Sequence, residues 1–241
     1  MTVLLLRLAG PLQSWGTSSR FVRRNTDRAP SKSGVIGLLA AAKGLRRTDP
    51  LEDLAHLRVG VRLDQPGRVE RDFQTARTRD GSTSMPLSYR FYLADAVFLA
   101  AVEGDRALLE GLAEALRRPV YPLYLGRRSC PPAGPLLLGL RDGDIETALN
   151  TEPWRASPWV QRSHRSDRIT LDALLDCPLD VDNGYLVRDE PLTFDPRHRD
   201  YTWRRVQDKR IEVANPLHNG NRPATSSPDP HDPMAALEGA L

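Results

Sequence analysis

Strand-like and helix-like segments alternate in the order β-α-β-β-α-β over roughly the first 140 residues, and this order constrains the fold more than any other feature of the chain. Residues 3–9 (VLLLRLA) are almost entirely apolar and stop at Gly10-Pro11, which predicts a buried central strand. From Ser33 onwards, apolar residues recur at helical spacing between a serine N-cap and Gly44. This second segment predicts an amphipathic helix that covers one face of a sheet.

Five further segments follow along the chain. Residues 58–64 alternate between apolar and polar side chains, which predicts a half-buried strand with Arg62 and Asp64 on its outer side. Residues 89–102 predict one long strand, Asp105 caps a second helix that stops at Pro119, and residues 120–125 and 136–140 are strand candidates. The sequence therefore predicts an α+β fold with a ferredoxin-like βαββαβ core, the split βαβ pattern of RNA-recognition folds.

Three other regions lie outside this core pattern. The polar, arginine-rich stretch at about 65–90 is long for a plain loop, so we predict a projecting β-hairpin inserted into a first domain of residues 1–140. Short mixed segments in residues 141–214 predict a small β-rich C-terminal lobe. Residues 215–241 are rich in proline and lack periodicity, which predicts a mobile tail.

The net charge of +3 is unevenly distributed along the chain. Residues 1–130 carry 21 basic and 13 acidic side chains, a net charge of +8, whereas residues 131–241 carry 13 and 18, a net charge of −5. Of the 34 basic residues 31 are arginine, the side chain best suited to bidentate phosphate contacts and to stacking on bases. A GC-rich genome accounts for much of this preference for arginine, but it does not explain the difference between the two halves.

Several classes of protein are disfavoured by the composition. The apolar runs are too short to span a membrane, and the N-terminus lacks the features of a signal peptide, so we expect a cytoplasmic protein without membrane contact. Cys130 and Cys177 are too few for a disulfide framework or a four-ligand metal site, and we expect both to be thiols. We expect no metal and no cofactor.

Three segments offer groups that suit an anion. The first, residues 30–34 (PSKSG), combines a helix N-terminus, two serines and Lys32; the alternative is an ordinary serine cap with a solvated lysine. The second, residues 125–132 (LGRRSCPP), follows a glycine turn with two arginines, which could equally be a solvated surface. The third is the predicted hairpin, where arginines interleave with aromatic residues, as single-stranded RNA recognition requires. The alternative is that these charges only keep the hairpin soluble. The residues are Arg68, Arg71, Arg77, Arg79, Arg90, Phe73, Tyr89 and Tyr92.

In order and spacing, residues 10–16 (GPLQSWG), 30–40 (PSKSGVIGLLA) and 124–132 (YLGRRSCPP) resemble the CasD subunit family of the type I-E CRISPR Cascade complex. The resemblance covers residues 1–140 well and the later part of the chain loosely. It implies a RAMP-superfamily protein with a ferredoxin-like core and a thumb hairpin, which binds and caps the five-prime handle of the CRISPR RNA (crRNA).

The resemblance also implies which residues bind RNA. In the family, the glycine-rich loop, the N-terminus of the first helix and the thumb hold the handle, and an arginine after an aromatic residue on the strand leaving the thumb is placed against bases. Arg77 is added on its charge alone. The implied RNA-binding residues are Gln13, Ser14, Trp15, Ser31, Lys32, Ser33, Arg77, Tyr89, Arg90, Gly126, Arg127, Arg128, Ser129 and Cys130.

The question of catalysis remains open at this point. Related CRISPR subunits cut precursor RNA without metal by general acid–base chemistry, but none of the five histidines falls in the three motifs. We therefore expect a non-catalytic scaffold subunit, with a repeat-RNA endoribonuclease or a free-standing RNA-binding module as alternatives. The expected partners are the crRNA handle, the Cascade backbone subunit and the large DNA-recognition subunit, and through them target DNA.

Overall fold

The computed structural model describes residues 1–17 and 23–218, apart from the side chain of Glu52. Within these ranges the strands are β1 (Thr2–Ala9), β2 (Leu12–Gln13), β3 (Arg23–Arg24), β4 (Arg58–Gln65), β5 (Arg68–Gln74), β6 (Ser88–Ala94), β7 (Val97–Gly104), β8 (Leu137–Asp142), β9 (Arg168–Asp176), β10 (Gly184–Thr193) and β11 (Asp200–Ala214). The helices are α1 (Lys32–Lys43), α2 (Glu52–Ala55), α3 (Arg106–Arg117), α4 (Ile145–Thr151) and α5 (Pro158–Ser163).

The described strands form two sheets. The larger has the order β10-β11-β9-β4-β7-β1-β8, and all its neighbouring strands are antiparallel. In the smaller, β6 is antiparallel to β2 and β5 and parallel to β3. The protein is thus a mixed α+β fold with mostly antiparallel sheets, which confirms the predicted class.

Strand β1 lies between two hydrophobic cores. Leu4, Leu6 and Leu8 pack into the core beneath α1 and α3, whereas Val3 and Leu5 pack into the core beneath α4. Because successive residues of a strand point to opposite faces, a strand buried on both faces is mostly apolar. The apolar run at residues 3–9 has this cause, and the predicted central strand is confirmed.

The C-terminal strands extend the larger sheet. Strand β9 pairs with β4, with Gly60 opposite Leu175, and β11 and β10 follow outward. The β-rich segment predicted for residues 141–214 therefore shares its sheet with the N-terminal part, and the division of the chain near residue 140 stays a prediction. Asn215 is buried and its side chain donates to the carbonyl of Gln161 at 2.9 Å. The rest of the predicted tail, from residue 219, lies outside the described residues.

The prediction that Arg62 and Asp64 face solvent is wrong. Both side chains are 0% exposed, and Nε of Arg62 donates to Oδ1 of Asp64 at 2.7 Å. The same guanidinium donates to the carbonyl of Glu152 at 2.8 Å and to that of Leu149 in α4. The alternation was misleading because α4 and the segment after it cover the side of β4 that the pattern assigned to water.

Two strand predictions are also corrected. Residues 89–102 form two strands, because Asp95 between them has a φ of 55°, and β6 joins the smaller sheet while β7 joins the larger. Residues 120–125 form no strand, since the N–H groups of Val120 and Tyr121 donate to carbonyls at the end of α1. Helix α1 begins at Lys32, one residue before the predicted start.

Strands β5 and β6 form the projecting hairpin expected from the sequence. Arg71 lies opposite Phe91 and Phe73 opposite Tyr89, and a bridge between Arg77 and Ser84 closes the loop. Every residue of β5 is exposed, so this strand stands off the core. Across 1–17 and 23–218, the structure contains no helix with the length and apolar character that crossing a membrane requires.

Candidate nucleic-acid interface

The three segments that carry the resemblance, residues 10–16, 30–40 and 124–132, meet beside the hairpin. The N–H of Ser14 donates to the carbonyl of Leu125 at 3.1 Å, and its hydroxyl donates to the carbonyl of Phe91 in β6 at 3.1 Å. The indole of Trp15 lies against Gly34 in α1, where a Cβ would come within 2.8 Å of a ring carbon. Residues distant in sequence thus form one continuous region.

Gln13 and Trp15 hold this region together from inside. Both are buried, and the Gln13 amide donates to the carbonyls of Leu8 at 3.1 Å and Ala96 at 2.7 Å. Its amide oxygen accepts from the indole N–H of Trp15 at 3.0 Å. Because these polar atoms already have partners, the two side chains fix the loop instead of presenting free groups to a ligand.

The start of α1 does not present Lys32 to solvent. Lys32 is 5% exposed, and its ammonium lies 3.3 Å from carboxylates of both Asp176 and Glu190. Its backbone N–H donates to Asp189 at 2.7 Å. The expected phosphate cradle is therefore occupied by the protein's own carboxylates, which β9 and β10 bring to the helix N-terminus.

Two serines complete this helix start. Ser31 is the N-cap, and its hydroxyl accepts from the N–H of Gly34 at 3.2 Å. The hydroxyl of Ser33 lies 3.2 Å from that of Ser31. The geometry thus shows the serine cap of the alternative interpretation, but Lys32 is buried and ion-paired and not solvated as that interpretation expected.

Arg204 belongs to the same charge cluster and was missed in the sequence. Its guanidinium donates to Asp189 at 2.5 and 2.9 Å and also to Asp176. Burial lowers the pKa of Arg204, but hydrogen bonds and the charges of Asp189 and Asp176 outweigh burial and raise the pKa above its ordinary value. No local motif marks Arg204, because its partners come together only through the pairing of β9, β10 and β11.

The loop after α3 contacts both the N-terminal loop and the small sheet. Gly126 has a φ of +84°, and a Cβ there would lie 1.7 Å from the carbonyl oxygen of Ser14. The Arg127 guanidinium donates to the carbonyls of Phe91 at 3.2 Å and Arg24 at 2.9 Å, and it lies 4.8 Å from the ring centroid of Tyr92. The Arg127 side chain therefore connects this loop to the small sheet.

The next three residues differ in accessibility. Arg128 and Ser129 are exposed, whereas Cys130 is fully buried. Burial raises the pKa of the Cys130 thiol, and the Ser129 hydroxyl and the charge of Arg127 offset only part of that rise. Of the side chains predicted in this loop, those of Arg128 and Ser129 are the exposed ones.

The small sheet aligns arginines with aromatic rings. Arg23 lies 5.0 Å from the ring centroid of Phe91, and Arg71 lies 5.4 Å from that of Tyr89. Phe73 is 66% exposed on β5, directly opposite the partly exposed Tyr89. Exposed aromatic rings beside guanidinium groups provide stacking surfaces for unpaired bases.

Arg90 lies at the centre of this sheet. It is opposite Asp72 in β5 and beside Arg24 in β3. Its Nε is buried and has no hydrogen-bond partner among the described residues. A buried donor without an acceptor is costly, so an incoming acceptor would be favoured here.

These arginines share one electrostatic property. Among residues 1–17 and 23–218, no carboxylate lies within ion-pair distance of the nine arginines on the hairpin, on β3 and in the loop after α3. Elsewhere in these ranges Arg28, Arg106 and Arg168 do form ion pairs, whereas others such as Arg7, Arg47 and Arg118 do not. We call these nine the arginine surface: Arg23, Arg24, Arg68, Arg71, Arg77, Arg79, Arg90, Arg127 and Arg128. Arg23 and Arg24 were not predicted.

Other chemistry is not evident at this surface. Across the described ranges, no group of three or more His, Cys, Asp or Glu residues is arranged to hold a metal ion. The histidines in those ranges, His56, His164, His198 and His218, lie outside the arginine surface and its supporting loops. The arrangement offers uncompensated positive charge and aromatic planes.

Comparisons with known proteins agree with these motifs. The family model for the CRISPR-associated protein Cas5 matches residues 3–207. The CRISPR system Cascade subunit CasD of Escherichia coli (strain K12) is 32% identical over 216 residues, an alignment that covers 80% of this chain and 90% of that protein.

Two solved structures are also similar. A chain of a structure titled CRISPR RNA-guided surveillance complex is 34% identical with a TM-score of 0.74, and the match covers 92% of this chain and 95% of that one. A second, titled crystal structure of Cas protein, is 37% identical with a TM-score of 0.67, over 92% of this chain and all of the other. The chain therefore belongs to the Cas5 family of CRISPR-associated proteins, as the resemblance to CasD predicted.

Proposed function

We propose that this chain is a non-catalytic subunit of a Cascade-type surveillance complex and that it binds and caps the five-prime handle of crRNA. The arginine surface carries the proposal, because none of its nine arginines has a carboxylate within ion-pair distance among the described residues. A nucleic acid supplies the counter-charge. Membership of the Cas5 family and the similarity to a chain of an RNA-guided complex support the same function.

The surface suits a single strand. Arg24 and Arg128 are proposed to neutralise phosphates, which gives affinity but little sequence preference, whereas Arg90 is proposed to lie against bases, as the resemblance implies. Phe73 and Tyr89 offer rings on which splayed bases can stack, and single-stranded RNA is commonly held in this way. We assign direct RNA contacts to Arg77, Tyr89, Arg90, Arg128 and Ser129.

The other residues implied by the resemblance have a different role in this proposal. We propose that they set the position of the RNA-binding groups without touching RNA through their side chains, which are either buried or bonded within the protein; Gly126 is exposed and acts through its backbone. This set comprises Gln13, Ser14, Trp15, Ser31, Lys32, Ser33, Gly126, Arg127 and Cys130.

We further propose that the core is ferredoxin-like and that the hairpin is the family's thumb. The chain runs β1-α1-β4-β7-α3-β8, and these strands lie in the order β4-β7-β1-β8. This arrangement supports a split βαβ core. The β5–β6 hairpin leaves that core between β4 and β7, where the thumb was expected.

The proposed partners are those implied by the resemblance. The hairpin would meet the backbone subunit across the RNA, and residues 141–214 would meet the large DNA-recognition subunit, which would connect the chain indirectly to target DNA. The complex would act in the cytoplasm. Crosslinking within the assembled complex tests this arrangement, and crosslinks from residues 141–214 to RNA alone would contradict it.

Binding of the purified chain to fluorescent RNA bearing the repeat-derived five-prime end tests the central proposal. We expect this RNA to bind more tightly than DNA of the same sequence, with an affinity that falls as salt rises. Equal, salt-independent binding of both would contradict the proposal. Incubation with radiolabelled repeat RNA in a chelating buffer tests catalysis, and specific cleavage would favour the endoribonuclease alternative.

A further inference from the structure

We propose that Asp189, on the C-terminal strand β10, is a positioning residue that sets the geometry of the RNA-binding surface through the start of α1. The inference rests on the proposed RNA-binding function. It assigns a role in that function to the acidic half of the chain, which carries no part of the arginine surface.

Asp189 is built into a buried contact. It is 2% exposed, accepts from the backbone N–H of Lys32 at 2.7 Å, and accepts from Arg204 at 2.5 and 2.9 Å. The N–H of Lys32 is one of the free donors at the N-terminus of α1, where negative charge is favoured. The carboxylate thus holds the first residue of the helix.

A bulge in β10 directs the Asp189 carboxylate towards α1. The register between β10 and β11 shifts between Arg188 and Glu190, so Asp189 is left out of the pairing. Bulges of this kind redirect a side chain. Here the bulged residue contacts α1, and the adjacent Glu190 contacts the ammonium of Lys32 at 3.3 Å.

A continuous set of contacts leads from Asp189 to the arginine surface. Gly34, in the first turn of α1, is the residue against which the Trp15 indole lies. The N–H of Trp15 donates to the hydroxyl of Thr26 at 3.0 Å, next to the segment that contains Arg24. Ser14 then connects to β6 and to the loop that carries Arg128. Release of Asp189 would therefore move the N-terminal loop that contains Ser14 and Trp15 relative to the arginine surface.

The Asp189→Asn variant tests the link, because it removes the charge and keeps the size of the side chain. We expect RNA affinity to fall about tenfold, with an unchanged dependence on salt, because no phosphate contact is lost. The matched control is Asp64→Asn, which breaks the buried pair with Arg62 on the other side of the sheet. Compared at equal folded fraction, Asp64→Asn should retain wild-type affinity within about twofold.

Tryptophan resonances report the movement directly. With 5-fluorotryptophan, the four tryptophans give four ¹⁹F signals, assigned by single replacements with Phe. We expect Asp189→Asn to shift the Trp15 signal. Asp64→Asn should instead shift that of Trp154, whose indole N–H donates to the Asp64 carbonyl at 2.8 Å. If Asp189→Asn does not fold, Arg204→Lys replaces it, since Lys keeps the charge but loses the paired hydrogen bonds.

The outcomes separate the two proposals. If the wild-type chain binds no handle RNA, the proposed function fails, and with it the role of Asp189 in RNA binding. If the wild-type chain binds but the folded Asp189→Asn variant binds equally well, only this inference is overturned. A weaker salt dependence in the variant would also overturn it, because it would place a phosphate at the start of α1.

Discussion

The carbonyl oxygen of Ser14 occupies the space in which residue 126 would carry a Cβ. The hypothetical atom would lie 1.7 Å from that oxygen, and the φ of Gly126 is +84°. Glycine is therefore required at this position for two separate reasons: the backbone conformation and the close approach of another chain segment. This contact aligns the N-terminal loop with the loop that carries Arg127 and Arg128.

Gly126→Ala should consequently be much more destabilising than an ordinary substitution at a positive φ. The conformation alone costs about 1–2 kcal/mol for an alanine, and the contact with Ser14 adds to that cost. Chemical denaturation measures the loss, and handle-RNA affinity should fall with it. Gly81→Ala is the matched control, because Gly81 has a φ of +74° and nothing within 4 Å of its hypothetical Cβ. Equal losses at both positions would rule out the steric role of Ser14.

Arg128→Ala should weaken RNA binding without weakening the fold. Arg128 is exposed and lacks an ion-pair partner among the described residues, so under the proposed function its replacement removes one phosphate contact and no contact within the fold. The slope of log affinity against log salt should fall by about 0.7 to 1. Titrations at several salt concentrations measure this slope. An unchanged slope would remove Arg128 from the interface.

Arg127→Ala should behave differently from its neighbour. The substitution removes the guanidinium that donates to the carbonyls of Arg24 and Phe91, and the Phe91 carbonyl keeps only the Ser14 hydroxyl as a side-chain donor, so we expect a stability loss of about 1–3 kcal/mol. Handle binding should also weaken, because the loop loses its tie to the small sheet. Thermal or chemical unfolding of the Arg127→Ala and Arg128→Ala variants side by side makes the comparison. Identical stability would contradict the structural role.

Local patterns predicted the elements whose cause is local. The run at residues 3–9 became β1 because both of its faces are buried, and Asp105 and Gly44 mark the predicted ends of helices. The hairpin was expected from the length and polarity of its segment. Tyr89 and Arg90 lie in that hairpin, so the resemblance placed them on a real surface feature.

Sequence patterns were misleading where segments distant in the chain determine whether a side chain is buried and which groups it contacts. Lys32 was interpreted as a phosphate ligand because no local signal shows that β9 and β10 bring Asp176 and Glu190 to it. Arg62 was assigned to solvent because alternation reports one covered face, whereas α4 covers the second. A lone charged residue in a motif does not reveal whether its partner is a ligand or another part of the chain.

Arg62→Met should be strongly destabilising although it replaces a charge with an apolar side chain. The substitution leaves the buried carboxylate of Asp64 without its partner, and breaking a buried pair in this way typically costs about 3–5 kcal/mol. Urea denaturation measures the loss. Arg106→Met provides the comparison, because the ion pairs of Arg106 are exposed and should contribute little. A small effect at Arg62 would mean that Asp64 reaches water.

Cys130 should make stability sensitive to alkaline pH. Burial raises its pKa above the ordinary value of 9.0, because the thiolate is disfavoured in an apolar site. The folded state therefore holds the proton more tightly than the unfolded state. The resulting stabilisation is fully present below pH 9.0 and is lost as pH rises through the folded pKa. Denaturation between pH 7 and 10 should show this decline, and Cys130→Ala should reduce it while Cys177→Ala leaves it in place. A decline of the same size in the Cys130→Ala variant would contradict this expectation.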